Sequence, residues 1–215
     1  MRRRIVLVFG EDHNDRAALQ HLIRALTKDC AGVAIQLRRK PLILSRSAAR
    51  PKRRGMAEEI ASLCKFAEDL EEGIAIAVVH RDCDATEPAH EEYARVMVAD
   101  LRAAGVSRAV AATPAWEIEA WWMLFPSALA AIRPCWRRVD YGTQSVGRFR
   151  NAKERLIRDL RPTGERERRR CPDYQEADGI RVARYVADIG LRQARGAAIS
   201  ASFAEFAAAL SKALL

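Results

Sequence analysis

Residues 74–84 read Ile74-Ala75-Ile76-Ala77-Val78-Val79-His80-Arg81-Asp82-Cys83-Asp84. Six consecutive apolar residues, three of them β-branched at alternate positions before Val79, are what a strand buried on both faces of a parallel sheet requires. The change at His80 to polar and acidic residues marks where such a strand leaves the sheet. Upstream, Met56 to Glu72 carries apolar residues at helical spacing. Downstream, a helix is expected from just after Pro88 to about Ala104, followed by a short strand over Arg108 to Ala112. The same grammar opens the chain: strand Ile5 to Phe9, turn Gly10 to Asn14, and a helix Asp15 to Thr27 with Ala18, Leu19, Leu22, Ile23 and Leu26 on one face. Val33 to Leu37 is a further strand. Strands alternating with helices predict an α/β fold built on a parallel sheet flanked by helices.

Past residue 112 the pattern changes. Thr113-Pro114, a hydroxyl residue before proline, predicts a helix start running through Trp116, Ile118, Trp121 and Trp122 towards Pro126. From about Pro134 the chain reads as helices joined by arginine-rich loops, the last opening with the capping-box pattern Ser202-Phe203-Ala204-Glu205. The expected organisation is an α/β domain over 1–133 and a mostly helical, arginine-rich extension over 134–215 packed on it.

With 49% hydrophobic and 30% charged residues among 215, the chain has a globular balance and can hold a core unaided. Five scattered cysteines without a C-x-x-C argue against a disulfide framework or zinc knuckle and for reduced thiols. The apolar run after Arg2-Arg3-Arg4 is only Ile5 to Phe9, too short for a signal peptide, and charges and prolines interrupt Val106 to Ile132. A cytoplasmic protein with no membrane span is expected.

The net charge is +9, carried unevenly: residues 136–215 hold 17 basic and 10 acidic side chains, residues 1–135 hold 20 and 18. Two clusters stand out. One is Lys40, Arg46, Arg50, Lys52, Arg53 and Arg54; the other is Arg166 with Arg168, Arg169 and Arg170. Guanidinium forks grip phosphate oxygens, so a polyanion such as nucleic acid, DNA ahead of RNA, is the expected partner. Against this, 31 of the 37 basic residues are arginine, a bias that genome composition alone produces.

The ends of parallel strands are where functional groups gather, and two of them are acidic here. Glu11-Asp12-His13-Asn14-Asp15 follows the first strand, and Asp82 and Asp84 follow the Ile74–Val79 strand. Extended geometry puts Asp82 and Asp84 on one side and Cys83 on the other. Crowded carboxylates need a cation, and an all-oxygen set suits Mg²⁺ or Mn²⁺. Asp12 or Asn14 could instead serve only to cap the next helix. A third acid, Glu119, lies among Trp116, Trp121 and Trp122; the tryptophans read as anchors against the sheet, and an apolar setting makes an unpaired carboxylate costly unless it faces the metal site. His80 or His13 could lie beside the metal, Arg81 could hold a phosphate, and Cys83 reads as a packed thiol.

Glu11-Asp12-His13-Asn14-Asp15-Arg16-Ala17-Ala18-Leu19 resembles the opening of TOPRIM domains, E-G-x-[ST]-[DE] followed by a helix with A-L, with Asp12 standing where glycine is usual. The D-x-D of Asp82 and Asp84 follows at the family's interval. Thr113-Pro114 with Ile118-Glu119-Ala120-Trp121, then Lys153 and Leu156, Tyr174, and Ser202-Phe203, Phe206 and Leu210 are similar to the signature of the small stand-alone branch near RloB and the OLD-family nucleases. The resemblance spans nearly the whole chain. It implies a TOPRIM-like fold and Mg²⁺- or Mn²⁺-dependent phosphodiester cleavage in anti-phage or mobile-element defence, with an ATPase partner. Glu11, Asp82 and Asp84 would be metal ligands or acid/base groups, Glu119 would join them, and Lys153 would reach the phosphate. A second copy of the chain is a further expected partner. Two rivals remain: a non-catalytic nucleic-acid-binding or regulatory subunit on the same scaffold, and a dehalogenase-like phosphatase reading Asp82-Cys83-Asp84-Ala85-Thr86 as D-x-D-x-T with Asp82 as nucleophile.

Overall fold

The computed structural model describes residues 3–30, 32–37 and 50–215. Four strands, β1 (Arg4–Phe9), β2 (Val33–Leu37), β3 (Ile74–His80) and β4 (Ala109–Ala112), pair in the order β2-β1-β3-β4, and every pairing is parallel. Between them run α1 (His13–Leu26), α2 (Arg50–Glu71) and α3 (Ala89–Ala103). After β4 come α4 (Glu119–Trp122), α5 (Pro126–Ile132), α6 (Ala152–Leu160), α7 (Glu165–Arg168), α8 (Glu176–Ile189), α9 (Leu191–Ala194) and α10 (Ala201–Leu214). Among the described residues, no helix is long and apolar enough to cross a membrane.

Alternation along each strand divides the core. Val6, Val8, Ile76, Val78 and Val110 face one layer, which contains α1 and the helices after β4. Ile5, Leu7, Phe9, Ala75, Ala77 and Val79 face the other, built by α2 and α3. All five residues Ile5–Phe9 are fully buried, which is why that run carries no polar face. Residues 134–215 enter the first layer: α8 packs on α1 and α10 covers β4. Trp121 forms the joint with α10. Its ring stacks on Phe206 at 5.2 Å, meets Phe203 edge-on at 5.5 Å, and its Nε1–H donates to Ser202 Oγ at 3.0 Å.

Several local expectations are corrected. Thr113-Pro114 does not open a helix. The N–H groups of Cys83 and Asp84 donate to the carbonyls of Pro114 (3.3 Å) and Trp116 (3.0 Å), and Trp116 N–H donates to Ala85 O (2.7 Å). Backbone groups committed sideways to the loop after β3 cannot also close helical turns, and Trp116 adopts a left-handed φ of 63°. The basic cluster Lys40 to Arg54, following the second strand and expected as a loop ahead of a helix from Met56, is helical from Arg50. The last helix is capped by Ser200, whose side chain accepts from Phe203 N–H, while Ser202 lies inside the helix. Cys135 and Cys171 form a disulfide, which overturns the reading of all five as thiols; Cys30, Cys64 and Cys83 are free. Spacing could not reveal the bridge, because the pair lies 36 residues apart.

Candidate metal centre

The strand register sets one rim of the sheet. Phe9 pairs with Val79 and His80 with Ala112, so the chain leaves β1, β3 and β4 side by side. Gly10 follows β1 in a tight space: a Cβ there would lie 3.0 Å from Arg16 Cγ and 3.3 Å from His80 Cβ. Asp12 caps α1, its Oδ1 accepting from Asp15 N–H at 3.0 Å. This is the capping role weighed from the sequence, and although burial opposes it, the hydrogen bonds from Asp15 and Asn14 hold the Asp12 carboxyl below its ordinary range.

Capping by Asp12 brings Asp15, in the first turn of α1, over the end of β3. Asp15, His80 and Asp82 each offer a ligand atom within 4.8 Å of the others. His80 Nδ1 lies 3.7 Å from Asp15 Oδ2, and His80 Nε2 lies 3.3 Å from Asp82 Oδ1. The imidazole is fully buried, yet neither of its nitrogens nor Asp82 Oδ1 makes a well-directed hydrogen bond. Buried polar atoms left in this way are costly and point to a missing partner.

Glu119, beyond β4, is buried and accepts from the Tyr174 hydroxyl at 3.3 Å. Burial, then the charge of Asp82, pushes its carboxyl up to about 8. Asp15 rises to about 7, first through burial, with His80 opposing and Asp82 adding to the rise. Burial works against a charge on His80, but Asp82, Asp15 and Asp12 outweigh it and raise the imidazole to about 9. Glu11 is half-buried and also raised, by burial and then by Asp82. The cluster therefore retains protons where isolated carboxylates would have lost them, as buried and crowded carboxylates do.

The residues singled out from the sequence fall into distinct places. Asp82 lies at the centre, Glu119 forms the buried wall, and Glu11 lies beside Asp82 but outside the closest donor set. Asp84 departs from the expected alternation: β3 ends at His80, and Asp84 is left-handed (φ 49°) and exposed. Two members were not assigned as ligands from the sequence. Asp15 is one helical turn beyond Glu11, a spacing that could have flagged it, whereas His80 reads as a strand-end hydrogen-bonder until its nitrogens are seen to be orphaned. Glu117 also joins the rim, accepting from Lys153 N–H at 3.0 Å. Lys153 Nζ pairs with Glu176. Cys83 is buried, and burial pushes its thiol up to about 12, consistent with a packed thiol.

The donor set fits a divalent ion. Two carboxylates and an imidazole favour Mn²⁺ over Mg²⁺, because nitrogen is a poor ligand for the harder ion. Of the basic residues, Arg168, Arg169 and Arg170 are exposed, with Arg169 paired to Glu165 at 2.5 Å. Lys40 and Arg46 lie outside the described residues, and Arg50, Lys52, Arg53 and Arg54 lie on the first turns of α2, where only the backbone is described. No family model, curated protein or solved structure matches the chain.

Proposed function

We propose that the protein is a TOPRIM-like, divalent-metal-dependent nuclease acting on nucleic-acid phosphodiesters. The observation that carries this reading is the meeting of Asp15, His80 and Asp82 within 4.8 Å, beside the buried Glu119, from three separate strand ends, with both His80 nitrogens and Asp82 Oδ1 buried and making no well-directed hydrogen bond. A bound Mn²⁺ or Mg²⁺ would neutralise these groups and stabilise charge on a phosphodiester oxygen. Asp82 and Asp15 would hold the ion, with His80 beside them. Glu11, half-buried with its carboxyl raised above the ordinary range by burial and then by Asp82, would serve as the acid/base group beside the ion. Arg81, stacked over Tyr93 at 4.7 Å and close to Glu11, would orient a phosphate. The resemblance extends the proposal to DNA as substrate, to defence against phage or mobile elements, and to an ATPase partner.

The test is nicking of supercoiled plasmid with Mn²⁺ or Mg²⁺. Wild type is expected to cleave and Asp82→Asn to lose at least about a hundredfold in rate. Metal-dependent cleavage retained by Asp82→Asn/Asp84→Asn would overturn the site. Binding without cleavage under either metal would favour a non-catalytic nucleic-acid-binding subunit, and hydrolysis of a small phosphomonoester would favour the dehalogenase-like reading.

A further inference from the structure

We infer that the chain carries a second metal site, at the seam between α3 and α10, formed by His90, Glu91 and Glu205 and suited to Zn²⁺. Each of the three offers a ligand atom within 4.8 Å of the others. The site is separate from the proposed nuclease centre and shares no residue with it. His90 is 1% exposed, and neither ring nitrogen makes a hydrogen bond. Its Nε2 lies 3.2 Å from Glu205 Oε2, which arrives from the first turns of α10.

The two glutamates alone would call for no explanation. Both α3 and α10 begin here, and helix N-termini favour carboxylates. The histidine is different: a buried imidazole whose nitrogens make no hydrogen bond, with Nε2 set beside a carboxylate from another element, has a lone pair to offer an ion. Imidazole nitrogen with two carboxylate oxygens is a set that Zn²⁺ accepts, leaving a fourth position for water. A tetrahedral Zn²⁺ holds its donors about 3.3 Å apart, and His90 and Glu205 already have nearly that spacing. Glu91 is exposed, so rotation of its side chain can close the third side. Glu205 also lines a cleft of about 630 Å³ between α3, β4 and α10, which gives the ion a path from solvent.

An ion here would tie the C-terminal helix to the α/β layer at its first turn. The Ser200 hydroxyl and the Ser202 N–H both donate to Oε1 of Glu87, two residues before α3, at 2.9 Å each, so the metal would reinforce an existing contact.

Chelator-stripped full-length protein titrated with ZnCl₂, and separately with Co²⁺ to follow the visible band that nitrogen ligation produces, tests the site. Asp82→Asn protein, disabled at the other centre, should still bind one Zn²⁺ and show the Co²⁺ band. Glu91→Gln/Glu205→Gln placed in that background should weaken Zn²⁺ binding by at least about tenfold. Both glutamates are exposed, so the far-UV circular dichroism and metal-free melting temperature should not move. Absence of Zn²⁺ from the Asp82→Asn protein, or equal affinity with and without the two glutamates, would overturn the site and leave a plain histidine–glutamate pair.

Discussion

Glu119 sits between the Tyr174 hydroxyl and the charges of Asp82 and Asp15, and its raised carboxyl makes the metal-free protein sensitive to pH. Asp15 at about 7, Glu119 at about 8 and His80 at about 9 all lie above their ordinary values. Within those windows the folded site holds protons that the unfolded chain has released. The contribution of these three groups is therefore fully present below their unfolded values of 3.8, 4.5 and 6.5 and is lost as pH rises through about 7, 8 and 9. Urea midpoints in a chelator should fall steadily from pH 5 to pH 9. Glu119→Gln should remove the portion ending near pH 8, leaving the variant more stable than wild type at pH 9 by on the order of a few kcal/mol. Mn²⁺ competes with the same protons, so its affinity should climb over that range and its binding should release protons. Calorimetry in buffers of different ionisation enthalpy would detect the release, and a heat independent of buffer would contradict the assignment. At this scale much was legible beforehand: Asp82 and Glu119 were both named from their neighbours in the chain. His80 was placed beside the metal but not among its ligands, because the hydrogen-bond geometry of its nitrogens is a property of packing that sequence does not show.

Among the elements, the strands were the most legible. Val33–Leu37 matches its observed bounds, and β3 runs one residue beyond the expected Val79, because apolar runs and periodicity are local signals. The segment Thr113–Ile118 was not legible, because its backbone is claimed by the loop after β3, a non-local partner that overrides the Thr-Pro start signal. The cap of α10 failed for a related reason: Ser202 is needed by Trp121, so Ser200 takes the N-cap. Helix contacts around Glu119 make a sharper prediction. Gly179, in α8, has no space for a methyl group; a Cβ would lie 2.9 Å from Trp122 Nε1 and 3.1 Å from Tyr174 Oη. Both rings are fully buried and cannot swing away. Gly179→Ala should cost about 1–3 kcal/mol in urea unfolding. By shifting Tyr174 from Glu119 it should also weaken Mn²⁺ binding, whereas an equally destabilising change remote from Tyr174 should leave that affinity alone. Equal stability of Gly179→Ala and wild type would show that α8 does not press on α4 as described.

For the molecule as a whole, the C-terminal eighty residues are both the stapled and the most basic part. The Cys135–Cys171 bridge closes a loop containing α6 and α7. On chain entropy alone, opening a loop of that size should cost about 3–4 kcal/mol, read as a lower urea midpoint with reductant or in Cys135→Ser/Cys171→Ser. The same loop carries the exposed Arg168, Arg169 and Arg170, so its order bears on the proposed grip on nucleic acid. Charge was legible from composition, but not which arginines are already engaged: Arg161 pairs with Asp173 and Arg133 with Asp178. The exposed Arg161–Asp173 pair contributes little to stability and can exchange its carboxylate for a phosphate, whereas Asp178 is buried and holds Arg133 in place. If the cluster tracks a DNA backbone, affinity for an unspecific duplex should fall linearly on a log–log plot against salt. Each arginine in contact should add about 0.9 to the slope for a duplex. Replacing Arg168, Arg169 and Arg170 together by glutamine should then flatten the slope by about 2 to 3 while leaving Mn²⁺ affinity at Asp15 and Asp82 unchanged. A slope that does not move would transfer the role to the other basic cluster, Lys40 to Arg54, whose replacement by glutamine in the same titration should then carry the whole effect.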